Sequence, residues 1–305
     1  MPGESPAEFE DPARVRDVLA DLVDVDAVEI WRSATYRFAA RVGREWRKGR
    51  VILAGDAVHQ TPPFLGQGLC SGIRDAANLA WKLVHIRRCG FNEALLDSYH
   101  DERRPHVVAV VEAAKEFGKI VGELDMDKAR ARDAKLMADL AAGRMETRRQ
   151  KFIPNLETGI LHFEPGVPRE EQVAGTLMSQ PEVYAPDGTK RLLDDLVPME
   201  WLYVTTGFEA QSWMEGMEHK WRSIGGRRVV ILPSNGALPS NEVSDAPFNH
   251  PPDIQLFHDS DGRFARWCET TGLSAALVRP DRYILASINN SASLAKMTVK
   301  LTQWV

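Results

Sequence analysis

The stretch Arg50–Leu83, RVILAGDAVHQTPPFLGQGLCSGIRDAANLAWKL, decides how the chain is read. Its opening RVILAG is apolar and β-branched and predicts a buried strand ending at Gly55-Asp56. That end places a carboxylate at the carboxyl edge of a sheet strand, where ligands of α/β folds gather. Asp56 can accept a sugar hydroxyl there. The following DAVHQTPPFLGQGLCS is too rich in Pro and Gly for a helix and reads as a shaped loop. Pro62 and Pro63 fix φ, while Gly66 and Gly68 lack a Cβ and let backbone approach a planar ring or a phosphate. From Gly72 the period changes to 3.6, and Ile73, Ala76, Ala77, Leu79, Ala80, Leu83 and Val84 mark one apolar face through about Arg88. The amides just before that helix sit at the positive end of its macrodipole and suit an anion or developing negative charge. Gly-Asp or Pro-Pro alone serves ordinary turns just as well; the information lies in their order across one strand, one loop and one helix.

Outward from this segment, DPARVRDVLADLV (11–23) predicts a short amphipathic helix with Pro12 in its first turn, and VEIWRSATYRFAARV (28–42) predicts a strand before RVILAG. Downstream, a helix from about Asn92 carries LLDSYHDERRPHVVAVVEAAKEFGKIV, kinked or restarted at Pro105, and a charged helix follows over 127–150. Residues 151–190 have no strong period and read as a connecting region. Beyond them the strand signals WLYVTT, RRVVILP, DIQLFHD, AALVRP and RYILASI alternate with helical ones around Ala210–Trp221, Arg263–Thr271 and Ser291–Thr302, a small α/β domain. The insert SNGALPSNEVSDAPFNHPPD (234–253) reads as a mobile surface loop. The division expected is therefore 1–150, 151–190 and 191–305.

Composition narrows the partners. The 305 residues carry 38 Lys+Arg against 43 Asp+Glu, a net charge of −5, so no basic field invites nucleic acid or an anionic membrane surface. A small molecule is the more natural ligand. Cys70, Cys89 and Cys268 are odd in number and form no C-x-x-C pair, which argues against a disulfide framework or structural zinc. With no apolar span and no signal-like leader, a cytoplasmic location is expected. His100 and His106 lack helical ligand spacing and no H-E-x-x-H occurs, so no metal is expected.

Gly-Asp, Pro-Pro, Gly-Gln-Gly and DAANLAWKL, in this order, resemble the second flavin motif of the single-component FAD-dependent aromatic hydroxylases. The variant PPFLGQGLCSGIRDAANLAWKL, with YHDERRPHV (99–107), is most similar to their 3-(3-hydroxyphenyl)propionate hydroxylase branch. DGRFARWCETTGLSAALVRPDRYILAS (261–287) resembles the thioredoxin-like domain appended to phenol hydroxylase-type members, here without a redox Cys pair. The resemblance implies an α/β fold: part of an FAD-binding hydroxylase domain, with strands, flavin loop and long helices, then a thioredoxin-like α/β domain. It implies FAD as cofactor, NAD(P)H as co-substrate, and O2-dependent hydroxylation of a small phenolic acid. It also implies that Asp56 bonds the ribityl chain, that backbone at Gly66, Gln67 and Gly68 faces the flavin, and that the Pro63 carbonyl lies near the reacting region.

No catalytic side chain is assigned. His59 could be imagined as a base, but a contact to a nearby backbone carbonyl is the reading taken. Tyr36 and Arg37 on the expected substrate-side strand read as packing with a solvated tip, and Glu102–Pro105, ERRP, as a salt-bridged face or domain contact. The G-x-G-x-x-G unit with which the family binds the adenosine end of FAD does not occur: the first 49 residues hold only Gly3, Gly43 and Gly49. Two expectations follow: an N-terminal companion chain that completes the site, or a non-catalytic remnant acting as an interaction module. Exposed apolar surface left at the incomplete edge would make either a homo-oligomer.

Overall fold

The computed structural model describes residues 6–144, 154–185, 187–233 and 253–302; most of the insert 234–253 lies outside them. In the first half, helix α1 (Pro12–Ala20) starts where Asp11 accepts from the amide of Ala13 at 2.9 Å and Pro12 presets φ. Four two-residue strands follow as two antiparallel ribbons: β1 (Arg41–Val42) with β4 (His59–Gln60), and β2 (Arg47–Lys48) with β3 (Val51–Ile52). Three helices complete this part: α2 (Gly68–Cys89), α3 (Asp97–Val121) and α4 (Met126–Ala141).

Two strand expectations need correction here. Only the last two residues of 28–42 pair, and RVILAG contributes only the two residues of β3, in an exposed hairpin rather than a buried strand. The reason is the neighbour: extended backbone becomes a ladder only where a second strand answers its N–H and C=O groups. Trp31, Tyr36 and Phe38 are consequently left on the surface. α3 does not restart at Pro105 but runs as one helix through it.

The second half is a seven-stranded mixed sheet. Its strands are β5 (Glu182–Tyr184), β6 (Lys190–Leu192), β7 (Trp201–Thr205), β8 (Gly226–Pro233), β9 (Ile254–Asp259), β10 (Ala275–Val278) and β11 (Ile284–Ser287), in the spatial order β11-β10-β7-β8-β9-β5-β6. β7, β8 and β9 are parallel, and each flanking pair is antiparallel. The sheet thus draws in strands from the stretch read as connecting. Helices α5 (Leu193–Leu196), α6 (Phe208–Ser212), α7 (Glu218–Ser223), α8 (Arg263–Thr271) and α9 (Ser291–Thr302) join or cover the strands.

Both faces of the sheet are buried, and β7 shows how the period of two divides them. Trp201 and Tyr203 face a core with Trp221, Leu294 and Met297; Leu202 and Val204 face another with Val229, Phe257 and Phe264. The first core also contains Trp81 of α2 with Phe91 and Leu95 just after it, and Trp81 meets Trp201 edge to face at 5.3 Å. The two halves therefore share one core. A smaller core of Trp46, Val58, Tyr99, Val107 and Val111 seats the ribbons on α3.

Helix α2 packs by the face opposite to the one its apolar residues predict. Ser71, Asp75, Asn78, Trp81, Lys82 and His85 are buried, while Leu69, Ile73, Leu83 and Val84 are exposed. What the polar face touches explains the inversion.

Candidate functional site

The site forms where the turn after β3 meets the start of α2. Gly55 takes φ +56°, a left-handed conformation that favours glycine, and opens the single turn Gly55–Ala57 that carries Asp56. This turn lies on α2 so closely that a Cβ on Gly72 would stand 3.4 Å from the Gly55 Cα. Asp56 itself is exposed. The loop then reaches Pro63, which begins the turn Pro63–Leu65, and Gly66 closes it at φ +58° with its amide 2.8 Å from the Pro63 carbonyl.

Gln67, just before α2, is buried, and its Oε1 accepts from Arg74 Nη1 at 3.2 Å and Nη2 at 3.1 Å. Its side chain points inward, so the loop offers backbone to the open side. No side chain caps α2, and a Cβ on Gly68 would meet nothing within 4 Å. The structure brings Asp56, Pro63, Gly66, Gln67 and Gly68 to one end of one helix, with Asp56, Pro63 and Gly66 exposed. An uncapped helix start beside open space and a free carboxylate fits a flat ring whose polar edge needs donors and whose sugar chain needs an acceptor. Phe64 props the loop from below: its ring lies against Gly118 of α3 and edge-on to Phe38 at 5.3 Å between centroids.

Two buried carboxylates satisfy the polar face of α2, and the first of them also holds the Asp56 turn. Asp75 Oδ2 accepts from the amide of Gly55 at 3.1 Å and pairs with His59 Nε2 at 2.7 Å, and Asp75 Oδ1 accepts from Arg103 Nε at 2.9 Å. Burial alone would raise the Asp75 carboxyl; the bonds from His59 and Arg103 hold it below the ordinary carboxylate range. His59 thus meets a carboxylate, not the backbone carbonyl expected from the sequence.

Glu102 is the second. Its Oε2 accepts from Asn78 Nδ2 at 2.7 Å, Lys82 Nζ at 2.8 Å and Arg279 Nη2 at 2.7 Å; its Oε1 accepts from the Ile160 amide and Arg279 Nη1, each at 2.8 Å. Against a burial penalty that would raise it, the charges of Arg279 and Lys82 hold Glu102 down to about 2, while burial lowers Lys82 to about 8. Arg279 belongs to the C-terminal sheet unit, so the ERRP segment is a domain contact.

Sequence reasoning passed over Asp75, Asn78 and Lys82. Their signal was a polar stripe, Ser71-Asp75-Asn78-Lys82-His85, stepping by four and three along α2. Tyr36 and Arg37 are exposed and sit on no strand. All three cysteines are free. Among the described residues no His/Cys/Asp/Glu group is placed to hold a metal, and no helix is long and apolar enough to cross a membrane.

Two families match the chain. Residues 2–114 match the FAD binding domain family and residues 175–303 the HcaD C-terminal domain family. A 3-(3-hydroxy-phenyl)propionate/3-hydroxycinnamic acid hydroxylase of Mycolicibacterium gilvum (strain PYR-GCK) is 32% identical over 300 residues, covering 94% of this chain and 50% of the relative. The chain is thus similar to aromatic-ring hydroxylases over nearly its whole length, with the FAD binding domain match confined to its first part. A probable NADH-specific resorcinol 4-hydroxylase of Rhodococcus jostii (strain RHA1) is 33% identical over 291 residues, covering 95% of this chain and 49% of the relative. Among solved structures, the flavin-dependent monooxygenase PieE in complex with FAD and substrate aligns at a TM-score of 0.70 and 21% identity, over 100% of this chain and 56% of that one. Aklavinone-11 hydroxylase with FAD and aklavinone aligns at 0.62 and 22%, over 98% and 52%. These likenesses establish the fold. The chain spans about half the length of the curated relatives it matches.

Proposed function

We propose that this chain is the flavin-cradling part of an FAD-dependent monooxygenase that hydroxylates a small phenolic aromatic acid with NAD(P)H and O2 in the cytoplasm. The observation that carries the reading is the meeting of the exposed Asp56 turn with the uncapped, Gly-lined start of α2. When bound, the flavin supplies the redox and oxygen chemistry. The chain's own residues then bind and orient it. Asp56 accepts from the ribityl hydroxyls, and the Pro63 carbonyl faces the reacting region. The backbone amides of Gln67 and Gly68 would offer donors toward negative charge on the ring, reinforced by the α2 dipole, while Gly66, its amide on the Pro63 carbonyl, shapes the turn that presents them. The phenolic acid follows from relatives named for hydroxylating 3-(3-hydroxyphenyl)propionate and resorcinol.

The exposed Trp31, Tyr36 and Phe38 and the exposed apolar face of α2 support a partner, and the reading assigns it as a companion chain with the βαβ dinucleotide-binding unit. The same surface is what would drive a homo-oligomer. The C-terminal unit, with two parallel strands joined by helices, an antiparallel hairpin beside them and a closing helix, is read as a thioredoxin-like domain of structural role. The same exposed surface favours a second reading, a non-catalytic interaction module. Separating them requires NADH and NADPH oxidation with FAD and 3-(3-hydroxyphenyl)propionate, with and without a separately expressed βαβ dinucleotide-binding chain. Oxidation stimulated by the phenolic acid supports the monooxygenase; no stimulation in either mixture leaves the interaction module.

A further inference from the structure

Asp75 lies on the second turn of α2, entirely buried, with no place in the open cradle. Every bond it makes nevertheless runs to a part of that cradle or to what supports it. Its carboxylate takes the amide of Gly55 at 3.1 Å, the residue directly before Asp56. It takes His59 at 2.7 Å, in the strand that leads from the Asp56 turn into the Pro-Pro loop. It takes Arg103 Nε at 2.9 Å from α3, and the same guanidinium reaches the Ser71 carbonyl of α2 through Nη2 at 3.4 Å. His59 is buried and stacked on Trp46, with ring centroids 5.6 Å apart. The left-handed Gly55 has no side chain of its own with which to fix the turn, and the close Gly55–Gly72 approach leaves its amide as the handle.

We propose that Asp75 is the positioning residue of the cradle: through the Gly55 amide it pins the Asp56 turn to the start of α2, with Arg103 and His59 holding its carboxylate in place. The proposal rests on the flavin reading for its functional meaning, while the pinning itself is a property of the chain alone. Asp75→Asn keeps the shape and one acceptor and removes the charge. Lys82→Met, in the neighbouring Glu102 cluster, supplies a buried-charge control outside the cradle. The first readout is amide hydrogen exchange at Gly55 and Asp56 without flavin. Asp75→Asn is expected to speed exchange there about tenfold beyond any global destabilisation, the scale of one charge-assisted bond. Lys82→Met is expected to change those amides only in step with global stability. The second readout is FAD affinity by flavin fluorescence: Asp75→Asn is expected to weaken it about tenfold and Lys82→Met to leave it unchanged.

Unchanged Gly55 and Asp56 exchange in Asp75→Asn overturns the proposal whether or not FAD binds. Faster exchange with wild-type FAD affinity also overturns it, since the pin would then serve no cradle. If the unaltered chain binds no FAD while the exchange result holds, the flavin reading fails and the pinning stands.

Discussion

Glycines 68 and 118 make opposite demands and separate binding from folding. Gly68 begins α2 with open space around its missing Cβ, so Gly68→Ala is expected to raise stability by up to about 1 kcal/mol through helix propensity. The same methyl would stand in the cradle, and FAD affinity is expected to fall. Gly118→Ala puts a Cβ 2.4 Å from the Phe64 ring, forcing the prop of the loop to move; a loss of about 1–3 kcal/mol in thermal or urea unfolding is expected. His106 gives a pH test. Burial first, then the charges of Arg103 and Arg74, lower it from 6.5 to about 3. The unfolded chain takes up this proton near 6.5 and the folded chain only near 3, so this contribution to stability is complete above that window and lost as pH falls through it. Glu102, lowered from 4.5 to about 2, loses its contribution further down in acid. In urea titrations, His106→Gln is expected to flatten the decline from pH 6.5 down to about 3, leaving below 4.5 the slope that Glu102 contributes; an unchanged decline between pH 6.5 and 4.5 would contradict the assignment. The left-handed turn at Gly66 could be picked out from sequence because its residue type carries the constraint. Asp75 could not, because a carboxylate on a helix reads as solvated until Arg103 and His59 are seen around it.

Helix α2 is the element where pattern and packing part company. Its polar stripe is buried because Arg103, Glu102 and Asp281 come from other elements to satisfy it, which leaves Ile73 at 59% and Leu69 at 79% exposure on the other side. Periodicity reports that a helix has two faces; it does not report which one its neighbours can satisfy. The strand expected over 28–42 failed for a related reason, since its partner strand is not among the described elements. By contrast α8 and the strands β7 to β11 fell where the pattern put them, because both faces of that sheet are filled from within the chain. Ile73→Glu with Leu83→Glu is expected to leave unfolding stability within about 0.5 kcal/mol, as for exposed positions, and to abolish self-association or companion capture in sedimentation velocity. A large loss of stability would mean that this face is packed.

Across the whole molecule, the buried Glu102–Arg279 pair and the Trp81–Trp201 contact join the cradle half to the sheet half. Glu102→Ala strands Arg279 and Lys82 without their shared partner and is expected to cost about 3–5 kcal/mol, with both halves melting together. Two separate transitions in the unaltered chain would contradict a shared core. The sheet unit then acts as the buttress that keeps α2, and with it the cradle, in place. The central claim is that residues 55–68 hold flavin, and a visible-absorbance titration of the purified chain with FAD tests it most directly. A shifted, resolved flavin band that saturates at one flavin per chain and weakens in Asp56→Ala is the expected result. A spectrum identical to free FAD throughout the titration would contradict it.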